Sequence, residues 1–319
     1  MKKTSSSFDA DAFQQSSSQG PVFINLLLDD WFKRAFTRKD ILLLTLQMIL
    51  PEKNISDVRL VRNEHTNPIP LAKNVLIDVE CVTQDGARFI VELQKERQDH
   101  FQERILYYSA FAIQQQVPRG EKLYDFMPVY MISLLNFCFH EKEKGEVKFV
   151  YRITRNGNPD ELMTENVTYI YIEMPNHRRP DDPEATRLDK FCWLLRNMSK
   201  FSKRPEESEN DALFRLLLDS ADFSTFEPTD KTKYENDMTT ERDLINQLAY
   251  REKKGRTEGK AEGIEIGETR GIKKGREETK LATAKKMLSK NYPIDEISDI
   301  TGLSKEEIEE ISRNSQNLQ

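Results

Sequence analysis

Apolar and polar residues alternate along two neighbouring stretches in the first third of the chain. Apolar and acidic residues take turns over residues 77–81, and alternation returns over residues 89–94. Because successive side chains of a strand point to opposite faces, both stretches are predicted strands. Asp85 and Gly86 lie between them, and Asp-Gly favours a tight turn because glycine accepts positive φ. The pattern therefore predicts a β-hairpin over residues 74–95.

Other patterns predict an α/β fold. Apolar residues spaced by three and four predict helices over residues 23–50, 99–117 and 184–202. Apolar runs predict strands over residues 127–139, 147–153 and 167–174. A short segment, residues 55–65, precedes the hairpin. Pro51 ends the first helix, and Pro118 ends the second. This order favours a mixed sheet flanked by helices.

Changes in composition divide the chain into five segments. The predicted segments are a disordered Ser/Gln-rich leader (1–20), an α/β core (21–205), a polar helical extension (206–250), a charged arm (251–280) and a small helical tail (281–319).

The arm has glycine at every fourth position, six times from Gly255 to Gly275. In a helix this spacing makes a smooth stripe that another helix can approach closely, although each glycine costs about 1 kcal/mol relative to alanine. A flexible charged spacer is the alternative interpretation. Residues 251–290 hold 13 basic and 7 acidic residues. If this end of the protein contacts DNA, the arm is therefore the expected contact.

The tail pattern predicts three short helices that resemble a small helix-turn-helix. Pro293 precedes the second helix, Gly302 ends it, and Ser304 with Glu307 forms a capping box for the third. Residues 291–319 hold 2 basic and 7 acidic residues. An acidic recognition helix fits DNA poorly, so the tail is interpreted as an oligomerisation or protein-interaction module.

Composition narrows the class of protein. The chain has 319 residues, 32% of them charged, and a formal net charge of −6. Three widely spaced cysteines (Cys81, Cys138, Cys192) predict reduced core residues, and the histidines show no ligand spacing for zinc. No apolar run reaches the length of a membrane span, and the amino terminus lacks a secretory signal. We expect a cytoplasmic protein without a membrane partner.

The hairpin also contains the residues that could bind a metal ion. Glu92 and Gln94 share one strand face, and Asp78 on the first strand can converge with them. Two close carboxylates repel each other unless a cation lies between them, and Mg²⁺ prefers such hard oxygen ligands. The spacing alone also fits an ordinary solvated hairpin.

Several blocks of sequence outside and within the hairpin are typical of one protein family, and they follow one another along the chain. These are DDWFKRAF (29–36), ILLLTLQMIL (41–50), IDVEC with DGARFIVELQ, and FQERILYYSAFAIQQQ followed by GEKLYDFMPVYMISLLNFCF. Over about residues 22–250 the chain resembles the PD-(D/E)XK nuclease family transposases, also described as recombination-promoting nucleases. The resemblance implies a restriction-endonuclease-like mixed sheet core flanked by helices, here with a helical C-terminal extension.

The resemblance also implies roles for individual residues. Asp78 and Glu92 become the metal ligands for Mg²⁺, with Mn²⁺ as a substitute, and the Leu93 carbonyl is a candidate third ligand. Gln94 stands at the position where most PD-(D/E)XK enzymes have lysine, and glutamine is usual in this family. Lys95 is next along the chain, but strand alternation predicts that it points to the opposite face.

Further candidate residues lie on two predicted helices. The resemblance places Arg104 and Tyr108 beside the cleft, with Arg104 as a phosphate clamp; the alternative is a surface arginine beside a core tyrosine. Lys33 is either a phosphate contact or a solvated charge. Asp29 either contacts a metal or, as we favour, caps the first helix.

Aromatic and polar neighbours complete the set of candidates. Gln115 is a weaker candidate on the same helix as Arg104. Tyr107, Phe111 and Phe126 are predicted to be core residues rather than base-stacking platforms.

The sequence is compatible with three functions. The first is a Mg²⁺-dependent DNA endonuclease that hydrolyses phosphodiester bonds, forms a homo-oligomer through the C-terminal arm and acts in recombination. The second is a catalytically inactive DNA-binding or scaffold protein with the same fold. The third is a plain helical interaction protein, which leaves the hairpin unexplained. The joint presence of Asp78, Glu92 and Gln94 favours the first.

Overall fold

The computed structural model describes most of the chain: residues 21–61, 64–65, 75–117, 120, 123–141 and 143–316. The predicted disordered leader, residues 1–20, lies outside this part. Contacts divide the chain into two compact units, residues 1–235 and 236–319.

The described helices and strands follow in chain order. The helices are α1 (Asp29–Phe36), α2 (Lys39–Ile49), α3 (Phe101–Gln114), α4 (Arg187–Asn197), α5 (Ala212–Ala221), α6 (Pro228–Leu288), α7 (Ile294–Thr301) and α8 (Lys305–Gln316). The strands are β1 (Val58–Leu60), β2 (Glu64–His65), β3 (Val75–Leu76), β4 (Val79–Thr83), β5 (Arg88–Gln94), β6 (Val129–Leu135), β7 (Lys148–Tyr151), β8 (Thr154–Arg155), β9 (Asn158–Leu162) and β10 (Val167–Glu173).

A mixed six-stranded sheet organises the first unit. Its strand order is β1-β4-β5-β6-β10-β7, and two short two-stranded sheets, β2-β3 and β8-β9, accompany it in the described residues. β6 runs parallel to both β5 and β10, while β1, β4 and β7 pair antiparallel with their neighbours. The predicted hairpin is present as β4 and β5, and Gly86 in its turn has φ +88.

Helices cover both faces of this sheet. On one face α3 buries Ile105 and Ala112 against Ile90 of β5 and Met131 of β6. Toward the opposite face, Lys148 Nζ of β7 donates to the carbonyl of Ile49, the last residue of α2, at 2.6 Å. β5 is therefore buried on both sides, and its polar residues lie inside the protein.

The segment predicted as one helix over residues 23–50 is different in the structure. Ile24 instead donates its N–H to the Ala221 carbonyl, and the chain becomes helical only at Asp29. A break at Thr37 and Arg38 then separates α1 from α2. Both helices carry buried apolar residues, so the break lets each of them bury its own apolar face.

A buried carboxylate fixes the loop that follows β6. Glu173, at the end of β10, is fully buried. It accepts backbone N–H groups from Phe139 and His140 and side-chain N–H groups from His140 and Asn176. At the start of the same loop, Asn136 donates its N–H to the Gln94 carbonyl at 2.9 Å. The first part of the loop, residues 136–140, is thus held in place, and Asn136 lies against the end of β5.

The second unit is helical. Ala284, Ile297 and Ile308 form a small core among the end of α6, α7 and α8. The predicted capping box is confirmed, since Ser304 and Glu307 exchange backbone-to-side-chain hydrogen bonds of 2.8 and 3.2 Å. The glycine-repeat segment is a continuous part of α6 rather than an irregular spacer. Each helix in the described part of the chain is too short or too polar to span a lipid bilayer.

Candidate active site

Asp78 and Glu92 are held together by backbone hydrogen bonds. Asp78 lies in the bend between β3 and β4, not inside a strand as the alternation predicted. Its backbone N–H donates to Glu92 Oε1 at 3.1 Å, and its carboxylate Oδ2 accepts the Leu93 N–H at 2.9 Å. The bend frees the N–H of Asp78 from the sheet ladder, so this N–H can hold the second carboxylate.

Burial makes this pair electrostatically costly. The Glu92 side chain is 5% exposed, and burial together with the negative charge of Asp78 raises the pKa of Glu92 to about 8. Burial also raises the pKa of Asp78, although the Leu93 N–H and the Lys33 ammonium oppose this rise. Two close carboxylates, one buried and one partly buried, that resist simultaneous ionisation create a demand for positive charge.

Gln94 and Arg104 form the next contact along β5. The Gln94 Oε1 accepts a short hydrogen bond from Arg104 Nη2, and its Nε2 donates to the Glu96 carbonyl at 2.9 Å. Arg104 Nη1 also donates to Gln98 at 3.0 Å, and its guanidinium lies 5.4 Å from the Phe101 ring centroid. The side chain at position 94 is therefore an uncharged amide that binds Arg104 of α3.

Lys33 reaches the site from α1. Its Nζ lies 3.2 Å from Asp78 Oδ1, and its side chain is 38% exposed. Burial acts against the charged ammonium, but the carboxylates of Asp78, Asp29 and Glu92 together raise its pKa. Lys33 therefore forms an ion pair at the site while part of its side chain remains in solvent.

One expectation about a nearby residue is wrong. Asp29 does not cap α1, because the N-cap position is Leu28 and no side-chain cap hydrogen bond is made there. Lys95 Nζ lies 3.9 Å from Asp29 Oδ1 on α1, while Gln94 contacts Arg104 of α3. That Lys95 points to the face opposite Gln94 stays a prediction.

Tyr108 lies one turn after Arg104 on α3 and belongs to the same surroundings. Burial and the charge of Glu92 raise the pKa of Tyr108. Phe111 is buried, as predicted, and Phe126 is half-buried. Tyr107, predicted to be a core residue, is 42% exposed, since it lies on the outer side of α3. Gln115 lies just beyond the end of α3.

The sequence interpretation missed Ser133. This residue is fully buried on β6, directly beside Glu92 in the parallel register. Its Oγ and Arg104 Nε are buried without a hydrogen-bond partner among the residues that the structure describes. A serine in the middle of the apolar run VYMISLL (129–135) was the available signal. Buried unpaired donors at a site indicate that it binds further polar atoms.

The donor set fits a hard divalent cation. The described residues place no group of three or more His, Cys, Asp or Glu side chains around one point. Mg²⁺ commonly uses one or two protein carboxylates and completes its coordination with water and phosphate oxygens. Asp78 and Glu92, with an unpaired buried hydroxyl next to them, fit this requirement, whereas Zn²⁺ or a thiolate-binding metal lacks its ligands here.

A mixed sheet with an acidic pair at the open end of the β4–β5 hairpin defines a restriction-endonuclease-like α/β protein. Comparison with family sequence models places the chain within that class. Residues 26–251 match the PD-(D/E)XK nuclease family transposases. The match covers most of the chain, so the protein belongs to this family, and the resemblance seen in its sequence is confirmed. Membership indicates a nuclease or transposase-like protein.

No curated protein and no solved structure matches the chain.

Proposed function

We propose that this protein is a Mg²⁺-dependent DNA endonuclease that acts in recombination in the cytoplasm, with Mn²⁺ as an alternative ion. The observation that carries the proposal is the pair formed by buried Glu92 and partly buried Asp78, each of which accepts a hydrogen bond from a backbone N–H. A carboxylate pair that needs only structural stability gains nothing from such burial, because desolvation opposes it. The pair is well suited to bind a divalent cation.

Asp78, Glu92 and the Leu93 carbonyl would hold the ion. When bound, Mg²⁺ polarises the phosphate and lowers the pKa of a water molecule. Gln94 still has one lone pair on Oε1 and one N–H on Nε2 after its two hydrogen bonds, and these can orient the attacking water. Attack on the phosphate with departure of the 3′ oxygen leaves a 5′-phosphate.

Three further residues contact the DNA substrate in this proposal. Arg104 is held at the site by Gln94 and Gln98, so its guanidinium is oriented before substrate arrives. Such preorganised donors stabilise the charge that develops on a phosphate in the transition state. Lys33 adds an ammonium from α1, and Tyr108 provides a hydroxyl from the same face of α3 as Arg104.

The C-terminal helices fit a role in assembly. Within the second unit, large apolar side chains of α6 are 43–59% exposed at Ile264, Ile266 and Ile272, next to the glycine stripe. Apolar side chains beside glycines permit close helix packing, so we propose that a second copy of this protein binds here. Two copies would bring two sites to one DNA molecule.

A plasmid-nicking assay tests the nuclease proposal. Wild type is compared with Asp78→Asn and Glu92→Gln in Mg²⁺, Mn²⁺ or EDTA, because these amides keep the shape of each carboxylate. The control is Asp57→Asn, which removes an exposed partner of Lys39. We expect metal-dependent nicking that each site variant lowers at least about 100-fold, while the control variant behaves as wild type.

DNA binding is measured on the same proteins by fluorescence anisotropy. Wild type that binds DNA but does not nick it with either metal would contradict the proposal and would indicate a scaffold that keeps the nuclease fold. Equal nicking by wild type and both site variants would show that the metal site is elsewhere.

A further inference from the structure

The strand position that carries lysine in most PD-(D/E)XK enzymes provides no positive charge in this protein. Gln94 occupies it, and both ends of its amide already bind protein groups, Arg104 Nη2 at Oε1 and the Glu96 carbonyl at Nε2. An ammonium that acts at the carboxylate pair must therefore come from another element.

Two lysines lie near the acidic residues, and they are not equivalent. Lys33 Nζ is 3.2 Å from Asp78 Oδ1, at hydrogen-bonding distance from the pair itself. Lys95 Nζ is 3.9 Å from Asp29, whose side chain is 72% exposed. Lys33 is thus the ammonium at the buried site, and Lys95 neutralises a more exposed carboxylate at its edge.

The contact of Lys33 takes an oxygen that a metal ion also needs. Asp78 Oδ2 accepts the Leu93 N–H, while Oδ1 faces the ammonium. Two cations within a few ångströms of each other repel strongly in a partly buried site, where water screens them little. A divalent ion on Asp78 therefore displaces the Lys33 ammonium, whose four-carbon chain allows it to move.

We propose that Lys33 is the counter-ion of the Asp78–Glu92 pair in the metal-free protein and transfers to the scissile phosphate when a divalent cation binds. It thereby takes the part of the missing strand lysine. The second half of this inference rests on the proposed nuclease function. A displaced ammonium next finds the nearest anion, and in a nuclease complex that anion is the phosphate beside the metal ligands.

The two halves predict opposite effects of one substitution. Lys33→Met keeps the length of the side chain but removes its charge, so a cation no longer competes for Asp78. We expect Mn²⁺ to bind the DNA-free protein about tenfold more tightly, equivalent to about 1.4 kcal/mol. Cleavage at saturating Mn²⁺ should nevertheless fall about 100-fold, because a group that contacts the phosphate is lost.

The experiment measures Mn²⁺ binding by electron paramagnetic resonance and single-turnover cleavage on the same full-length proteins. The matched control is Lys39→Met, which removes an exposed lysine from the neighbouring helix, where it pairs with Asp57. Lys33→Arg keeps the charge and should leave Mn²⁺ affinity within about twofold of wild type. If Lys33→Met is poorly folded, Lys33→Gln replaces it.

Each outcome decides part of the inference. Unchanged or weaker Mn²⁺ binding by Lys33→Met would overturn the counter-ion role, whatever happens to cleavage. Tighter binding with undiminished cleavage would overturn the transfer to phosphate. Tighter Mn²⁺ binding in a protein whose wild type never cleaves DNA would reject the proposed nuclease function and the transfer, while it supports the counter-ion role.

Discussion

Asp78 holds Glu92 through its own backbone N–H, at 3.1 Å from Glu92 Oε1. The contact is independent of the Asp78 side chain, which instead binds the Leu93 N–H and lies against Lys33. Position 78 therefore contributes in two separable ways, with its backbone to the second carboxylate and with its side chain to cation binding. The amide substitution at this position removes the charge and leaves the first contribution intact.

Stability of the metal-free protein should fall with rising pH because of Glu92. Its folded pKa, about 8, lies above the ordinary value of 4.5. The folded protein thus binds this proton more tightly than the unfolded chain, so the stabilisation is complete below 4.5 and is lost as the pH rises through 8. Urea unfolding in EDTA between about pH 5 and pH 9 should show this loss in wild type.

Glu92→Gln should flatten that pH dependence, because glutamine has no proton to lose. Glu161→Gln, at an exposed ion pair with Arg155, is the control and should keep the wild-type slope. An identical slope in Glu92→Gln and wild type would show that Glu92 titrates normally.

Substitution of Gln94 should show whether Arg104 needs a hydrogen-bond acceptor at position 94. Gln94→Lys places an ammonium against the guanidinium and removes its acceptor, whereas Gln94→Glu keeps an acceptor and adds opposite charge. We expect Gln94→Lys to lower the free energy of unfolding by about 2 kcal/mol and to lower DNA cleavage. Gln94→Glu should be at least as stable as wild type in EDTA at neutral pH. Greater stability of the lysine variant would mean that Arg104 does not depend on position 94.

Ser133→Ala should stabilise the metal-free protein. The Ser133 hydroxyl is buried without a partner in the described residues, and its removal relieves a desolvation cost of about 1 kcal/mol. Ser109 offers a matched control, because it is also buried and its hydroxyl bonds the Leu106 carbonyl and the Tyr169 hydroxyl. Ser109→Ala should therefore lose stability. Urea unfolding of both variants in EDTA measures the two signs, and a loss in both would show that Ser133 has a partner.

Alanine in the glycine stripe separates helix stability from assembly. An added Cβ at Gly259, Gly263 or Gly267 meets no atom within 4 Å, so each substitution should favour the helix by about 1 kcal/mol. If a second copy packs on the stripe, the triple variant should show higher helicity by circular dichroism but a monomeric mass by light scattering. An unchanged oligomeric mass would reject the stripe as the contact.

Local periodicity was sufficient to predict the central hairpin and the residues that meet there. Alternation over β5 placed Glu92 and Gln94 on one face, and the position of Asp78 at the start of the hairpin placed it near Glu92. The bend at Asp78, however, depends on hydrogen bonds to a neighbouring strand, which periodicity does not describe. Ser133 was equally hidden, because its importance comes from its register beside Glu92 on a strand that lies far away in sequence.

The first helix illustrates a second limit. The helix predicted over residues 23–50 is divided because its apolar residues must reach more than one neighbouring element. The difference arises where tertiary contacts end an element, and the sequence carries no strong stop signal there.

The exposed middle of α6 should make the protein sensitive to proteases at this point of the chain. Along residues 241–282 its side chains are largely in water, including those of Leu244 and Leu281, and glycines weaken its backbone. Segments with few buried contacts open locally at a small fraction of the global unfolding free energy, and proteases cut chains in such open states. Limited digestion of the protein at concentrations where no second copy covers this helix should therefore release the nuclease-like unit whole, long before its sheet is attacked.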